Sequence, residues 1–293
     1  MDPSPLNVIP AVADGSQSGP VEAGQTDRAD THSVLSYSGF SWKLWIYTNY
    51  DCNLRCSYCL AKSSPNAPRR ALGLRNVQQL VDESTALGFS EVLLTGGEPF
   101  ILKDIYDMLA YASARVKTSV LTNGMLLNGP RLERLMAVAS ENLTVQVSLD
   151  GGVAEHHDAY RGLGTWKKTV DSMRSLVAHG LRVRVSTTET PANLTHLDLV
   201  CKLHESLGIP ESNHFIRPLA KRGYSHEGLE LDMNTLSPEM TVNLDGVFWH
   251  PLSTDPDMQV SKELFPLKAS VERIQEQLDL IAGGGHVSLK PFT

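Results

Sequence analysis

Tyr47-Thr48-Asn49-Tyr50-Asp51-Cys52-Asn53-Leu54-Arg55-Cys56-Ser57-Tyr58-Cys59 carries three cysteines in the spacing CxxxCxxC, directly after an apolar, aromatic-rich run. Only one further cysteine, Cys201, exists in the chain. A structural zinc site is closed by four ligands, usually paired on two knuckles, and no second pair is present. A four-iron cluster is normally held by four thiolates. Three thiolates in one short loop therefore leave one iron without a protein ligand, and an open coordination position implies chemistry.

The surroundings of this loop read as an α/β protein. Short β-like runs fall at 42–48, 91–95, 118–122, 143–149, 181–188 and 214–217, and helical patterns lie between them at 74–87, 105–116, 130–140, 165–179 and 194–207. Repeated βα units imply a parallel sheet, and six strands rather than eight imply an open partial barrel. In such folds ligand chemistry is built on loops at the carboxyl ends of strands. The cysteine loop follows the first strand, Gly96-Gly97-Glu98-Pro99 the second, Thr122-Asn123-Gly124 the third and Ser148-Leu149-Asp150-Gly151 the fourth. Each of the last three is also ordinary turn chemistry, but their placement aims them at one cavity.

With 293 residues, 41% of them hydrophobic, the chain can bury a sizeable core. Its formal charge of −7 argues against a nucleic-acid partner, which would need a basic face. Met1-Asp2-Pro3-Ser4 has neither a basic n-region nor an apolar h-region, and no stretch has the length to cross a bilayer, so no membrane partner and a cytoplasmic location are expected. Residues 1–38, rich in Pro, Gly, Ser, Asp and Ala, read as a mobile tail.

The CxxxCxxC loop with Tyr58 before its last cysteine, together with Gly96-Gly97-Glu98-Pro99 after a short apolar run, resembles the radical S-adenosylmethionine (radical SAM) superfamily. The similarity spans about 42–217 and is nearest to the group of molybdopterin-biosynthesis enzymes, anaerobic sulfatase maturases and peptide maturases. The resemblance implies a partial (β/α)6 TIM-type barrel over 39–220. It also implies one 4Fe-4S cluster on Cys52, Cys56 and Cys59, with S-adenosylmethionine as cofactor. Reductive cleavage of that cofactor would give a 5′-deoxyadenosyl radical, fed by an external one-electron donor of flavodoxin or ferredoxin type. The radical would abstract hydrogen from a peptide or small-metabolite substrate. Tyr58, Gly96, Gly97, Glu98, Pro99, Asn123, Ser148, Asp150 and Arg161 are then expected at the cofactor. Gly96 and Gly97 would let backbone approach it, and Glu98 would accept a hydrogen bond from its ammonium group. Arg161 would meet a carboxylate or pair with Asp158 or Glu155.

Residues 221–293 are expected to form a small α+β cap. Asp245-Gly246 marks a hairpin there, and the segment is similar to the SPASM region of the maturases, but Ser237 and Trp249-His250-Pro251 stand where relatives have cysteines. Three cysteines in the loop leave only Cys201, so a single cluster is expected. Cys201 reads as a buried structural thiol, and His156 and His157 as surface or capping residues. His214, His226 and His250 are scattered and are not assigned a metal. Arg217, Arg222, Tyr224, Trp249 and His250 are candidates to line the substrate pocket. A non-catalytic protein that keeps cluster and cofactor to recognise a partner is the alternative reading.

Overall fold

Strand β1 (Ser41–Tyr47) shows how the sequence divides the molecule into an outer and an inner layer. Side chains alternate across a strand, and here Leu44 and Ile46 join the main apolar core while Trp45 and Tyr47 turn to the opposite face, onto the wall of a cavity. The computed structural model describes residues 41–230, 238–251 and 256–283; the tail expected at 1–38 and Ser237 lie outside the described residues.

After β1 the chain alternates regularly: α1 (Leu74–Ala86), β2 (Glu91–Thr95), α2 (Ile105–Ser113), β3 (Lys117–Thr122), α3 (Gly129–Ala137) and β4 (Leu143–Ser148). Two helices follow, α4 (Ala154–Arg161) and α5 (Thr165–Ala178), then β5 (Arg182–Thr188), α6 (Leu197–Ser206) and β6 (His214–Arg217). All six strands run parallel in sequential order, each pairing with the next. The expected strands and helices are thus present, most with ends shifted by a few residues.

The core lies between this sheet and the helices. Val92 and Leu94 of β2, Val120 of β3, Val145 and Val147 of β4, and Val183 and Val185 of β5 all point outward into it. They meet Val77, Leu80 and Val81 of α1, Met108 and Leu109 of α2, and Val170, Met173 and Leu176 of α5. Each such side chain contributes about 1.5–3 kcal/mol when fully buried. The inner face is polar by contrast. At the amino ends of the strands Glu91 accepts hydrogen bonds from Ser119 at 2.6 Å and Arg184 at 3.1 Å, which plugs that end of the partial barrel. At the carboxyl ends Thr95, Ser148, Ser186, Thr188 and Arg217 face a cavity.

The C-terminal region combines strands with a helix, and its first strand joins the main sheet. Strand β7 (Glu239–Asn243) lies parallel to β1 and extends the sheet. It then turns back through β8 (Gly246–Phe248) and β9 (Gln259–Ser261), both antiparallel, giving the order β6-β5-β4-β3-β2-β1-β7-β8-β9. The expected Asp245-Gly246 hairpin is present, with Asn243 opposite Gly246. What draws β7 into the sheet is β1 itself, whose second edge needs partners for its backbone. Met240 and Val242 add fully buried apolar surface, and the Trp45 indole N–H donates to Glu239 at 2.6 Å. A last helix, α7 (Leu267–Gly283), packs on α1, where Glu83 accepts from the Leu267 N–H at 2.7 Å. The barrel does not close: β6 and β9 are the two ends of the sheet. Among the described residues no helix is long and apolar enough to cross a membrane.

Candidate active site

The three loop cysteines converge on one cavity of about 180 Å3 at the carboxyl ends of the strands. None forms a disulfide. The loop is held by backbone bonds to separate parts of the chain: Cys52 N–H to Ser64 O at 3.2 Å, Ser57 N–H to Tyr160 O at 3.0 Å, and Tyr224 N–H to Cys59 O at 3.1 Å. Gly223 is needed for the last of these, because it has φ +66° and a Cβ there would sit 2.2 Å from Cys59 O. The sulfurs themselves are approached by donors. Leu54 N–H lies 3.3 Å from Cys52 Sγ, Ser63 N–H 3.4 Å from Cys59 Sγ, and the Asn123 side-chain amide 3.8 Å from Cys52 Sγ.

Gly96 and Gly97 line the cavity, and both approach protein backbone closely. A Cβ on Gly97 would lie 2.1 Å from Asp51 O, and one on Gly96 2.5 Å from Asn49 O. The two loops are laced together at that contact by Gly97 N–H to Asn49 O at 2.9 Å and Glu98 N–H to Asp51 O at 3.0 Å. Glu98 is engaged by protein donors. It is fully buried, absent from the cavity wall, and its carboxylate accepts from Phe100 N–H at 3.1 Å, Thr122 Oγ1 at 2.8 Å and Asn123 N–H at 2.9 Å. Burial pushes its pKa up to about 7 against the pull of those three donors. It ties the second-strand loop to the third. Pro99 begins a short 3-10 turn and is buried, and it too is off the wall.

Asn123 lines the cavity, fixed by Thr169 Oγ1, which donates to its carbonyl at 2.9 Å, while Ser172 Oγ donates to Gly124 O at 2.5 Å. Ser148 lines it as well. Asp150 does not: it is fully buried and organises the residues that do. Its carboxylate accepts from the Tyr58 hydroxyl, from Arg161 Nε at 2.6 Å and from Thr188 N–H at 3.0 Å. Burial alone would raise Asp150, but the Arg161 guanidinium outweighs it and leaves the carboxyl below its ordinary value. The local partners considered for Arg161 are thus replaced by Asp150, and Asp158 instead caps the start of α5 through Trp166 N–H at 2.8 Å. His157 is buried rather than on the surface, with Nδ1 accepting from Asp150 N–H at 3.1 Å.

Of the expected pocket residues from the C-terminal half, Arg217 is on the wall and the others are not. Arg222 pairs with Asp257 at 3.4 Å, Tyr224 donates to Lys62 O at 2.8 Å, and Trp249 and His250 are buried behind the cavity. Trp45, Tyr47, Leu54, Leu121, Leu219 and Pro251 supply apolar wall that motif reading missed. Alternation within β1 already marks Trp45 and Tyr47 as facing away from Leu44 and Ile46; nothing local marks Pro251, which is brought in by the Tyr47 hydroxyl donating to its carbonyl at 2.7 Å.

The donor set fits an iron–sulfur cluster: three sulfurs outside any disulfide share one cavity, and backbone N–H groups approach two of them. Burial raises the Cys52 thiol to about 12 and Cys56 to about 11, the latter despite the neighbouring Arg161 guanidinium. Buried thiols held that high need a cation to exist as thiolates. A profile of the Radical SAM superfamily matches residues 46–192. The chain belongs to the radical SAM superfamily. It is 34% identical over 170 residues to the mycofactocin maturase MftC of Mycobacterium ulcerans, covering 57% of this chain and 44% of that one. The chain therefore spans less than half the length of that relative. Among solved structures, native anSMEcpe with bound AdoMet and the Kp18Cys peptide aligns with a TM-score of 0.62 at 17% identity, over 82% of this chain and 83% of that one. Streptococcus suis SuiB bound to its precursor peptide SuiA aligns with a TM-score of 0.56 at 20% identity, over 67% and 44% respectively. These radical SAM structures share the partial-barrel fold.

Proposed function

We propose that the chain is a radical SAM enzyme that modifies a peptide. The observation that carries this is the convergence of Cys52, Cys56 and Cys59 on one cavity whose remaining wall includes Gly96, Gly97, Asn123, Ser148 and Arg161. The peptide class rests on the likeness to the maturase MftC and to the fold of SuiB, whose structure holds a precursor peptide. Cys52, Cys56 and Cys59 would hold one 4Fe-4S cluster, with S-adenosylmethionine in the adjoining cavity. Bound there, the pair would supply reductive cleavage of the sulfonium to a 5′-deoxyadenosyl radical for hydrogen abstraction from the substrate, with the electron from an external flavodoxin- or ferredoxin-type donor.

The chain's own residues prepare the space. Arg161, fixed by Asp150, presents a guanidinium at the wall beside Cys56, suited to a carboxylate. Asn123 donates toward the Cys52 sulfur and, through its backbone, is anchored on Glu98. Trp45, Tyr47, Leu54 and Leu121 keep the wall apolar, which limits water around a reactive species. Tyr58 is held by Asp150 and stands 6.0 Å from the Tyr160 ring.

Anaerobic reconstitution of the full chain tests the proposal. About four irons per chain, with 5′-deoxyadenosine formed on adding S-adenosylmethionine and a strong reductant, are expected, and both are lost in Cys56→Ala. A cluster that never cleaves the cofactor would leave the partner-recognition reading in its place. Turnover of a small metabolite instead of a peptide would correct the substrate class.

A further inference from the structure

On the outer face of the sheet, away from the cavity, Cys201 and His204 of α6 meet His214 at the start of β6. Cys201, which reads in the sequence as a buried structural thiol, is only partly buried, and its Sγ lies 3.6 Å from His214 Nδ1. His204 is fully buried, and its Nε2 lies 3.2 Å from the same His214 Nδ1.

The surrounding hydrogen bonds set the tautomer of each imidazole in its neutral form. His204 Nδ1 stands 2.8 Å from Ile209 O, and a carbonyl only accepts, so Nδ1 carries the hydrogen and Nε2 presents a lone pair. The Thr187 hydroxyl spends its only hydrogen on Leu149 O at 2.7 Å. It must therefore accept from His214 Nε2, 2.7 Å away, which leaves His214 Nδ1 with a lone pair too. Two lone pairs thus face each other at 3.2 Å with a sulfur beside them. A proton on one of the three atoms relieves that arrangement, and so does a metal ion standing between them.

Two of the three edges match those of a tetrahedral zinc ion. For tetrahedral zinc, metal–nitrogen bonds of about 2.05 Å and a metal–sulfur bond of about 2.3 Å give an N···N edge of about 3.3 Å and an S···N edge of about 3.6 Å. The observed edges are 3.2 and 3.6 Å, and all three ligand atoms lie within 4.8 Å of one another. Each histidine already donates its other ring nitrogen to an oxygen, the outer bond that orients metal-ligating imidazoles. The carboxylates of Glu211, Glu205 and Asp198 add negative charge around Cys201, and a thiolate with two imidazoles suits zinc.

We propose that Cys201, His204 and His214 bind one zinc ion, with water in the fourth position, clamping α6 to β6. The site is separate from the cysteine loop and stands whether or not the cluster chemistry holds.

The test is metal analysis and zinc X-ray absorption on the anaerobically prepared full chain, with Cys201→Ser, with His214→Gln, and with a variant carrying alanine at Cys52, Cys56 and Cys59. One tightly held zinc per chain with a shell of one sulfur and two imidazoles is expected, retained in the triple alanine variant. Cys201→Ser and His214→Gln are expected to lose it while keeping cluster iron and a native circular dichroism spectrum. Zinc that disappears in the triple variant would place it in the cysteine loop and overturn the proposal. So would a chain that takes up no zinc, or one whose zinc is unchanged in both Cys201→Ser and His214→Gln. Loss of cluster iron alone would bear on the function proposed above and leave this site untouched.

Discussion

The Glu98 carboxylate accepts the Asn123 backbone N–H at 2.9 Å, so a residue with no surface of its own on the cavity sets the position of one that has. The charge on Glu98 is costly: its carboxyl is pushed up to about 7 from 4.5 by burial. The folded state therefore binds the proton more tightly than the unfolded chain. This group's contribution to stability is full below about pH 4.5 and falls as pH rises to about 7. Glu98→Gln loses that slope but offers an amide N–H₂ to one of the three donors. A loss of about 1–3 kcal/mol is expected at pH 5, narrowing by pH 8, measured by urea unfolding at both values. A gap that widens toward pH 8 would show that the folded state favours the charged form.

Asp150 behaves in the opposite sense. Its pKa is held below the ordinary value, so its contribution is present above about 3.9 and disappears as pH falls through the folded value. Arg161→Met leaves a fully buried carboxylate without its cation, which costs about 3–5 kcal/mol. Denaturation of this variant at pH 7 checks the magnitude. The paired change Asp150→Asn with Arg161→Met is expected to recover part of the loss, and a purely additive cycle would remove the pair from the account.

Gly97→Ala places a methyl 2.1 Å from Asp51 O, where the neighbour is backbone and cannot swing aside. The expected result is a chain destabilised by about 1–3 kcal/mol that reconstitutes with less iron, because the contact that fails is the one bracing the cysteine loop. Full iron occupancy in this variant would show that the loops do not depend on each other.

Asn123→Ala removes the amide that lies 3.8 Å from Cys52 Sγ. Hydrogen bonds to cluster sulfurs favour the reduced, more negative state. The variant is expected to keep its iron and shift the cluster midpoint to more negative potential, read by potentiometric titration. An unchanged or more positive midpoint would separate Asn123 from the sulfur.

The βα order was legible because each strand carries an outward apolar stripe, as in Val183 and Val185, and each helix its own period. The cysteine loop and Gly96-Gly97 were legible as motifs. The orientation of Glu98 and Asp150 was not, since a turn carboxylate reads the same whether it faces ligand or backbone donors. The place of β7 was equally hidden: its pairing with β1 joins Ile46 to Val242, nearly two hundred residues later, and no local pattern states it. Helix α7 was legible and missed. Leu267, Val271, Ile274 and Leu278 recur at helical spacing, and all are buried.

The sheet order also sets where the molecule can yield. Strand β1, which carries the cysteine loop, is bonded along both sides, by β2 and by β7, while among the described residues β6 is held on one side only. Amide exchange should accordingly be slower along 42–47 than along 214–217. A bulky guest at the cavity would accordingly be accommodated at less cost by movement of β6 and Arg217 than by movement of the strand from which the three sulfurs hang.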